Sequence, residues 1–472
     1  MSHFAGLQSP QLGPQAPAVP RLPYWAWLLV GLIVLVVPFG LVHQPLLTVS
    51  GLLAVTALVW VLKPKRALVL FIALAPFENY LSQYVSPSTI KGAGVLLFAA
   101  WLLRRIRYRT RLASQLAHWL VLAFLVLATA ATVVHPNGAQ GQETLQRYLS
   151  FAAFFVVALD LMQERPWLTR AMQSYVLSCS AASVAGLVTY FSGQSARATG
   201  PISDPNDFAF FLVAAVPLAA ALFAESKRSW WLVCAGVLVV GTAATASRGG
   251  LVALAAVAAW SLLSGTVKIR YAVVCVAVLG AALALVVALN PAVVQDTLHQ
   301  KQYVAAHNNE DRLLRWSAAL AMMSDHPVLG EGPAGFTLHY PEYLRAGYLH
   351  GYDSDAVPSA VAHEMYLEVG SELGLPAMLL FVMLITTAVS VAGGARRRPG
   401  RGSRSVAARG AAIQGGLLAA VTGALFLTEQ YFLPIWLLMA MAFALPRSEE
   451  RLPGEVREIE QAAVLPAAAT PR

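Results

Sequence analysis

The sequence predicts an all-α, polytopic integral membrane protein with about 12–14 transmembrane helices and one long helical loop on the extracytoplasmic side. Three observations carry that prediction. Of 472 residues, 57% are hydrophobic and only 12% charged, with a mean hydropathy of +0.61. Soluble domains carry roughly 25% charged residues, so this chain lacks the polar coat that an ordinary soluble enzyme needs. Apolar runs long enough to cross a bilayer, ~20 residues each, recur along it. Basic residues also concentrate in alternate connections, as cytoplasmic loops do.

The elements follow in chain order. Residues 1–23 are rich in Pro, Gln and Ala without periodicity, the composition of a disordered tail. The run from Tyr24 to Val42 has no small-residue cleavage site after it and reads as an uncleaved first span. Further spans are expected at 45–62, 67–79, 90–103, 116–134, 146–163, 169–191, 206–224, 229–245, 249–264, 270–289, 364–391, 410–428 and 431–446. The third and fourth are short enough to be half-spans. The expected organisation is a 1–23 tail, a 24–289 transmembrane bundle, a 290–362 loop, C-terminal helices at 363–446 and a 447–472 tail. Within the loop, Asp311 to Ser324 has the pattern of an amphipathic helix ended by Asp325-His326-Pro327. A loop of ~70 residues far exceeds ordinary connection lengths and points to function.

Loop charge orients the spans. Lys63, Lys65 and Arg66 follow the second, and Arg104, Arg105, Arg107, Arg109 and Arg111 the fourth. Arg165 and Arg170, then Lys227 and Arg228, then Lys268 and Arg270 follow the sixth, eighth and tenth. Arg396, Arg397, Arg398, Arg401, Arg404 and Arg409 follow the twelfth. Both termini are therefore expected in the cytoplasm. The net charge of +9, which in a soluble chain would suggest nucleic acid, has this membrane explanation instead, and no nucleic-acid partner is expected. Cys179, Cys234 and Cys275 lie inside apolar runs and read as small buried hydrophobes.

Four arginines break the pattern. Arg197, Arg248, Arg312 and Arg315 fall on the extracytoplasmic side. Arg248 occupies Ser247-Arg248-Gly249-Gly250, a very short connection between two spans. A charge there is costly unless it meets an anion or a wet cavity. It either snorkels to a headgroup or pairs with a carboxylate such as Asp204, or the arginines converge on a phosphate-bearing substrate, whose oxygens their planar forks fit. His363 stands at the mouth of the twelfth span in His363-Glu364-Met365-Tyr366-Leu367. A zinc protease would need a second His at 367, where Leu stands. The lone His is a polar boundary residue or a proton acceptor at the membrane surface. Glu364, Glu368 and Glu372 descend from it, placed to orient it or to bind a substrate hydroxyl. Gly370 and Gly374 share a helix face at the spacing of close helix packing. Asp353-Ser354-Asp355 is a solvated acidic loop or, on the weaker reading, a divalent-metal pair.

Four segments together resemble the O-antigen ligase and polymerase superfamily of bacterial membrane glycosyltransferases. These are Arg197-Ala198-Thr199-Gly200 with Asp204-Pro205-Asn206-Asp207; Ser247-Arg248-Gly249-Gly250; Asp311-Arg312-Leu313-Leu314-Arg315-Trp316 running on to Asp325-His326-Pro327 and Gly330-Glu331-Gly332-Pro333; and Ala362-His363-Glu364 with Glu372-Leu373-Gly374-Leu375. The likeness covers roughly residues 195–390. One departure is Glu364, where the family usually has Asn, Ser or Gln.

The resemblance implies a GT-C-like fold in the bacterial inner membrane with a periplasmic active site. It implies an inverting, metal-independent transfer of a glycan from undecaprenyl pyrophosphate to an acceptor hydroxyl, with no cofactor. His363 is then the base, and Arg197, Arg248, Arg312 and the weaker candidate Arg315 bind pyrophosphate. Glu364, Glu368, Asp204 and Asn206 are candidates for acceptor binding or orientation. The implied partners are the lipid-linked glycan, a glycan or lipid A–core acceptor, the bilayer, and a flippase and chain-length regulator. Alternatives are a protein O-oligosaccharyltransferase of the same superfamily and a non-enzymatic transporter or flippase of lipid-linked sugars.

Overall fold

The computed structural model describes residues 63–110, 112, 115–265, 312–344, 361–397, 403–428 and 430–450, all within the compact unit Ala57–Arg472. The expected spans at 24–42, 45–62 and 270–289, the 1–23 tail, the C-terminal tail beyond residue 450 and the Asp353/Asp355 pair lie outside these residues. Among the described residues every regular element is helical: α1 Pro64–Leu74, α2 Glu78–Tyr84, α3 Thr89–Tyr108, α4 Leu116–Val134, α5 Gly138–Leu161, α6 Arg165–Phe191, α7 Pro205–Ser226, α8 Trp230–Ala244 and α9 Arg248–Leu263. Residues 312–325 form α10, followed by α11 Gly335–Tyr343, α12 Met365–Arg397, α13 Ser403–Ala424 and α14 Leu433–Glu450.

Five helices, α4, α5, α6, α7 and α12, are long and apolar enough to cross a membrane, and α8, α9 and 433–446 are shorter apolar helices. The chain is a multi-pass membrane protein. Its lipid-type surface is visible in the exposed Val95, Leu102, Trp119, Val126, Val188, Val233 and Leu379, all on helices, an apolar exterior that water would not tolerate. The third expected span is a broken pair. Helix α1 ends in a 3-10 turn at Ala75–Phe77 that contains Pro76, and α2 follows. At 1.5 Å per residue, 11 residues reach ~17 Å, about half of a ~30 Å hydrocarbon core.

Helix α7 is the hub, packed on α6, α8, α9 and α13, while α12 packs on α4, α13 and α14. At one end of the bundle, basic side chains expected in cytoplasmic connections meet carboxylates. Lys65 pairs with Glu164, Arg105 with Asp160, and Arg409 grips both oxygens of Glu225 at 2.6 and 2.8 Å. Arg165 also reaches the Ser405 hydroxyl at 3.0 Å.

The opposite end is organised by a break in α12. The expectation of one continuous helix with a packing stripe fails at Gly374, whose φ of 83° and ψ of 167° are not helical. A helix would bond the Leu375 amide to the Ser371 carbonyl. Here the Leu375 N–H donates to Pro327 O at 2.9 Å, and Ser371 O accepts from the Glu331 N–H at 2.8 Å. The 327–331 segment thus inserts into the ladder and satisfies both groups that the break exposes, as a membrane interior requires. A Cβ on Gly374 would lie 2.2 Å from Val328 O, so only glycine permits the approach. Gly370 keeps the expected packing role, touching the Met323 thioether.

Candidate active site

At that end the Asp204-Pro205-Asn206 segment opens α7 by ordinary capping chemistry. The Asp204 carboxylate accepts from the Asn206 and Asp207 amides, and Pro205 needs no donor at N1. The cap aims Asn206 back at the preceding connection, where Arg197 Nη2 donates to Asn206 Oδ1 at 3.0 Å. Arg197 Nε donates to Thr245 O at 2.7 Å, and the Ala198 amide donates to Ala244 O at 3.0 Å. One guanidinium therefore ties the start of α7 to the end of α8. Burial pulls the Arg197 pKa below the usual arginine value, and the nearby Asp204 charge offsets part of the shift.

Two residues past Thr245, Ser247 caps α9 by accepting from the Gly250 amide at 3.2 Å, and Arg248 follows as the first helical residue. Its side chain is exposed. A Cβ on Gly250 would meet Ala209 of α7 at 2.6 Å, and one on Gly249 would meet Phe426 at 3.2 Å. The two glycines after Arg248 thus let α9 close against α7 and the α13–α14 connection.

That connection also holds the mouth of α12. Glu368, 3% exposed, accepts from the Thr428 hydroxyl at 2.7 Å, from Gln430 Nε2 at 3.0 Å and from the Ala362 amide at 2.9 Å. The residue after Ala362 is His363, held at a left-handed φ of 52°, an uncommon state for a non-glycine. One turn further, Glu372 accepts from Tyr431 at 3.2 Å and from the Ala334 and Phe336 amides at the start of α11. Glu364 is the N-cap of α12, with its carboxylate on the Leu367 amide. The position after His363 is therefore a capping position. Asn and Ser cap with short arms, and here a glutamate does so with a longer one. Burial pushes the Glu364 pKa up to about 7, against the pull of its backbone donors.

Helix α10 runs beside this mouth. Arg315 Nη1 donates to Val361 O at 3.1 Å, and Ala319, Met322, Phe336, Tyr340 and Ala362 form one buried cluster. Arg312 lies one turn before Arg315, and both are half-buried. The 326–333 segment is pinned from its other side by Asn137, whose Nδ2 donates to Glu331 O at 2.8 Å and Pro333 O at 3.0 Å. Tyr343 bridges Glu331 at 2.6 Å and Asp325 at 3.0 Å, which with burial raises its pKa.

The sequence-predicted residues thus fall into two groups at one end. Arg197, Asp204, Asn206 and Arg248 form one, and Arg312, Arg315, His363, Glu364 and Glu368 the other; Phe426 lies against Gly249, beside Arg248, while Thr428 and Gln430 hold Glu368. Sequence reasoning missed Asn137, Thr428, Gln430 and Tyr431, single polar residues in short connections that no spacing marks. Their one available signal is that each stands next to an apolar span with no charge of its own to explain it.

Residues 233–382 match the family model described as O-antigen ligase. The chain carries an O-antigen ligase family domain. The matched region runs from α8 through the break in α12 and includes Arg248, Arg312, Arg315, His363, Glu364 and Glu368, while Arg197, Asp204 and Asn206 precede it. The O-antigen ligase domain makes the protein a transferase of the type that moves lipid-linked glycans. No curated protein matches the sequence.

Proposed function

We propose that the protein transfers a glycan from undecaprenyl pyrophosphate to an acceptor hydroxyl at the periplasmic face of the bacterial inner membrane, with inversion at the anomeric carbon. The observation that carries this reading is the shared end. The arginine corner at Arg197 and Arg248 and the histidine mouth at 363 are joined through the same connection, which touches Gly249 and holds Glu368.

The chemistry needs three things. The acceptor oxygen attacks the anomeric carbon while His363 takes its proton. The bond from that carbon to the phosphate oxygen breaks, and undecaprenyl pyrophosphate leaves. Negative charge growing on the leaving pyrophosphate is met by fixed guanidinium groups of Arg197, Arg248 and Arg312, so the reaction draws on no metal ion. Arg315, engaged with Val361 O, and Glu368, engaged with the Ala362 amide, act as positioning residues that fix the peptide ahead of His363. The polyprenyl chain stays in lipid while its pyrophosphate reaches the mouth.

The test is purified protein with a lipid-pyrophosphate glycan and three acceptors: lipid A–core, a second lipid-linked repeat and a serine-containing protein. The mass of the product names the acceptor. His363→Ala is expected to bind donor and transfer nothing. Normal turnover by that variant removes His363 as the base, and movement of intact donor across a bilayer without bond cleavage replaces transfer with transport.

A further inference from the structure

At the charged end of the bundle, away from Arg197 and His363, Lys65 is engaged by Glu164. Arg66 of α1 and Arg170 of α6 are both exposed and make no ion pair among the described residues. The Arg170 guanidinium lies 4.4 Å from the Trp167 ring centroid, a contact that anchors the group without using its N–H donors. Helices α1 and α6 start at this end and run side by side, joined by the Lys65–Glu164 pair and, further in, by the Ser174 hydroxyl donating to Val69 O at 2.6 Å. Arg66 and Arg170 both fall between these two contacts in sequence.

From Arg170 inward the two helices enclose a cleft of about 480 Å³, walled by Val69, Ala73 and Phe77 on one side and by Gln173 and Leu177 on the other. Arg66, Val69 and Ala73 share one face of α1, as Arg170, Gln173 and Leu177 share one of α6. Ser174 spends its hydroxyl on Val69 O and the Ser178 hydroxyl is covered, so the inner part of the cleft offers an apolar surface. The cleft stays open because α1 breaks at the turn containing Pro76, while α6 runs on for 27 residues. Past the break Leu177, Val184 and Val188 of α6 are 44, 49 and 61% exposed. At 1.5 Å per residue Leu177 lies ~11 Å and Val184 ~21 Å beyond Arg170, a reach that covers one leaflet's half of the ~30 Å hydrocarbon core.

We infer that this cleft is a binding site for an anionic diacyl phospholipid of the phosphatidylglycerol kind. One acyl chain lies between α1 and α6 and runs on along Leu177 and Val184, and the headgroup phosphate meets Arg66 and Arg170. Charge complementarity selects this occupant: two arginines without a carboxylate stand at the headgroup end of an apolar cleft, on the side where basic residues gather beside an anionic leaflet. The lipid fills the space that the half-length α1 leaves beside α6. The site is separate from the proposed donor site and does not depend on glycan transfer.

The experiment offers the full chain, purified in detergent, phosphatidylglycerol and phosphatidylcholine of the same acyl chains, and counts the retained lipid by native mass spectrometry. Wild type is expected to retain phosphatidylglycerol in preference. Arg66→Gln and Arg170→Gln should each lower that preference about fivefold, and the two together about 25-fold. Ala73→Trp, which fills the cleft from α1, should lose the retained lipid with its helical circular dichroism unchanged. Equal retention of the two lipids by wild type overturns the site, as does a preference unchanged in the double arginine variant. Retention unchanged in a folded Ala73→Trp also overturns it, placing the lipid elsewhere. Stronger retention of undecaprenyl phosphate than of phosphatidylglycerol would overturn the diacyl occupant in favour of a polyprenyl one.

Discussion

Replacing Gly374 with alanine tests the inserted ladder at the centre of this fold. The added Cβ would stand 2.2 Å from Val328 O and 2.4 Å from Val328 C, backbone atoms that cannot rotate away. The φ of 83° with ψ of 167° is a region that essentially only glycine occupies, at about 1–3 kcal/mol for another residue. Relief of the clash pushes out the 326–333 segment, with loss of the 2.9 Å Leu375–Pro327 and 2.8 Å Glu331–Ser371 bonds at about 1 kcal/mol each. The total is roughly 3–5 kcal/mol. Gly370→Ala is the control: its Cβ meets the flexible end of Met323 at 2.8 Å, a crowding of about 1–3 kcal/mol before the thioether rotates away. Unfolding midpoints in nanodiscs and protease cleavage within 326–333 read the difference. Gly374→Ala should lower the midpoint far more and expose the segment. Equal effects of the two substitutions would refute the inserted ladder and leave only a packing stripe.

Three further outcomes follow from the contacts described above. Asn137→Ala removes two bonds to the same segment, about 1 kcal/mol each, and should lower the midpoint by less than Gly374→Ala does. Arg197→Lys cannot hold Thr245 O and Asn206 Oδ1 with one planar fork, so donor affinity should fall about tenfold in a binding titration. Glu364→Gln addresses pH: its raised folded-state pKa of about 7 means that the folded protein holds the proton more tightly than the unfolded chain. That contribution is complete below the ordinary carboxylate range and is lost as pH rises through about 7. The midpoint of wild type should therefore drop between pH 5 and 8 relative to the variant, and parallel curves would show that Glu364 does not titrate there.

Helix positions were legible because period and length are enough to mark a bilayer-crossing segment. The runs at 116–134, 169–191 and 206–224 coincide closely with α4, α6 and α7. The helix that Asp325-His326-Pro327 was expected to end does end at 325. The break at Gly374 was not legible. Gly-x-x-x-Gly has the same spelling whether a glycine admits a neighbouring helix or a neighbouring loop, and the partner that decides is some 46 residues away in sequence. For the candidate site, capping chemistry was partly hidden inside apparent function. Asp204 carries the spacing of a binding motif, and its carboxylate is engaged by the Asn206 and Asp207 amides. Charge that violates the sidedness rule pointed to Arg197 and Arg248. Nothing local pointed to Thr428 or Gln430, because their significance lies wholly in the carboxylate they face.

That carboxylate gives the sharpest separation between positioning and proton chemistry. Oε2 of Glu368 accepts from Ala362 and Thr428, and Oε1 accepts from Gln430 Nε2, while Gln430 Oε1 is buried without a partner. In Glu368→Gln the new amide oxygen can keep the first two bonds. Its NH2 then faces a donor, and rotation of the Gln430 amide by 180° turns the idle Oε1 into the acceptor it needs. The network survives without charge, and the peptide ahead of His363 stays where it was. Glu368→Ala instead strands three buried donors, at about 1–3 kcal/mol each, and frees that peptide. If Glu368 positions His363, the glutamine variant retains most of kcat, and the alanine variant loses kcat with donor KM little changed. If the two variants are equally impaired, the negative charge itself takes part in the proton's path, and Glu368 moves from the scaffold of the site into its chemistry.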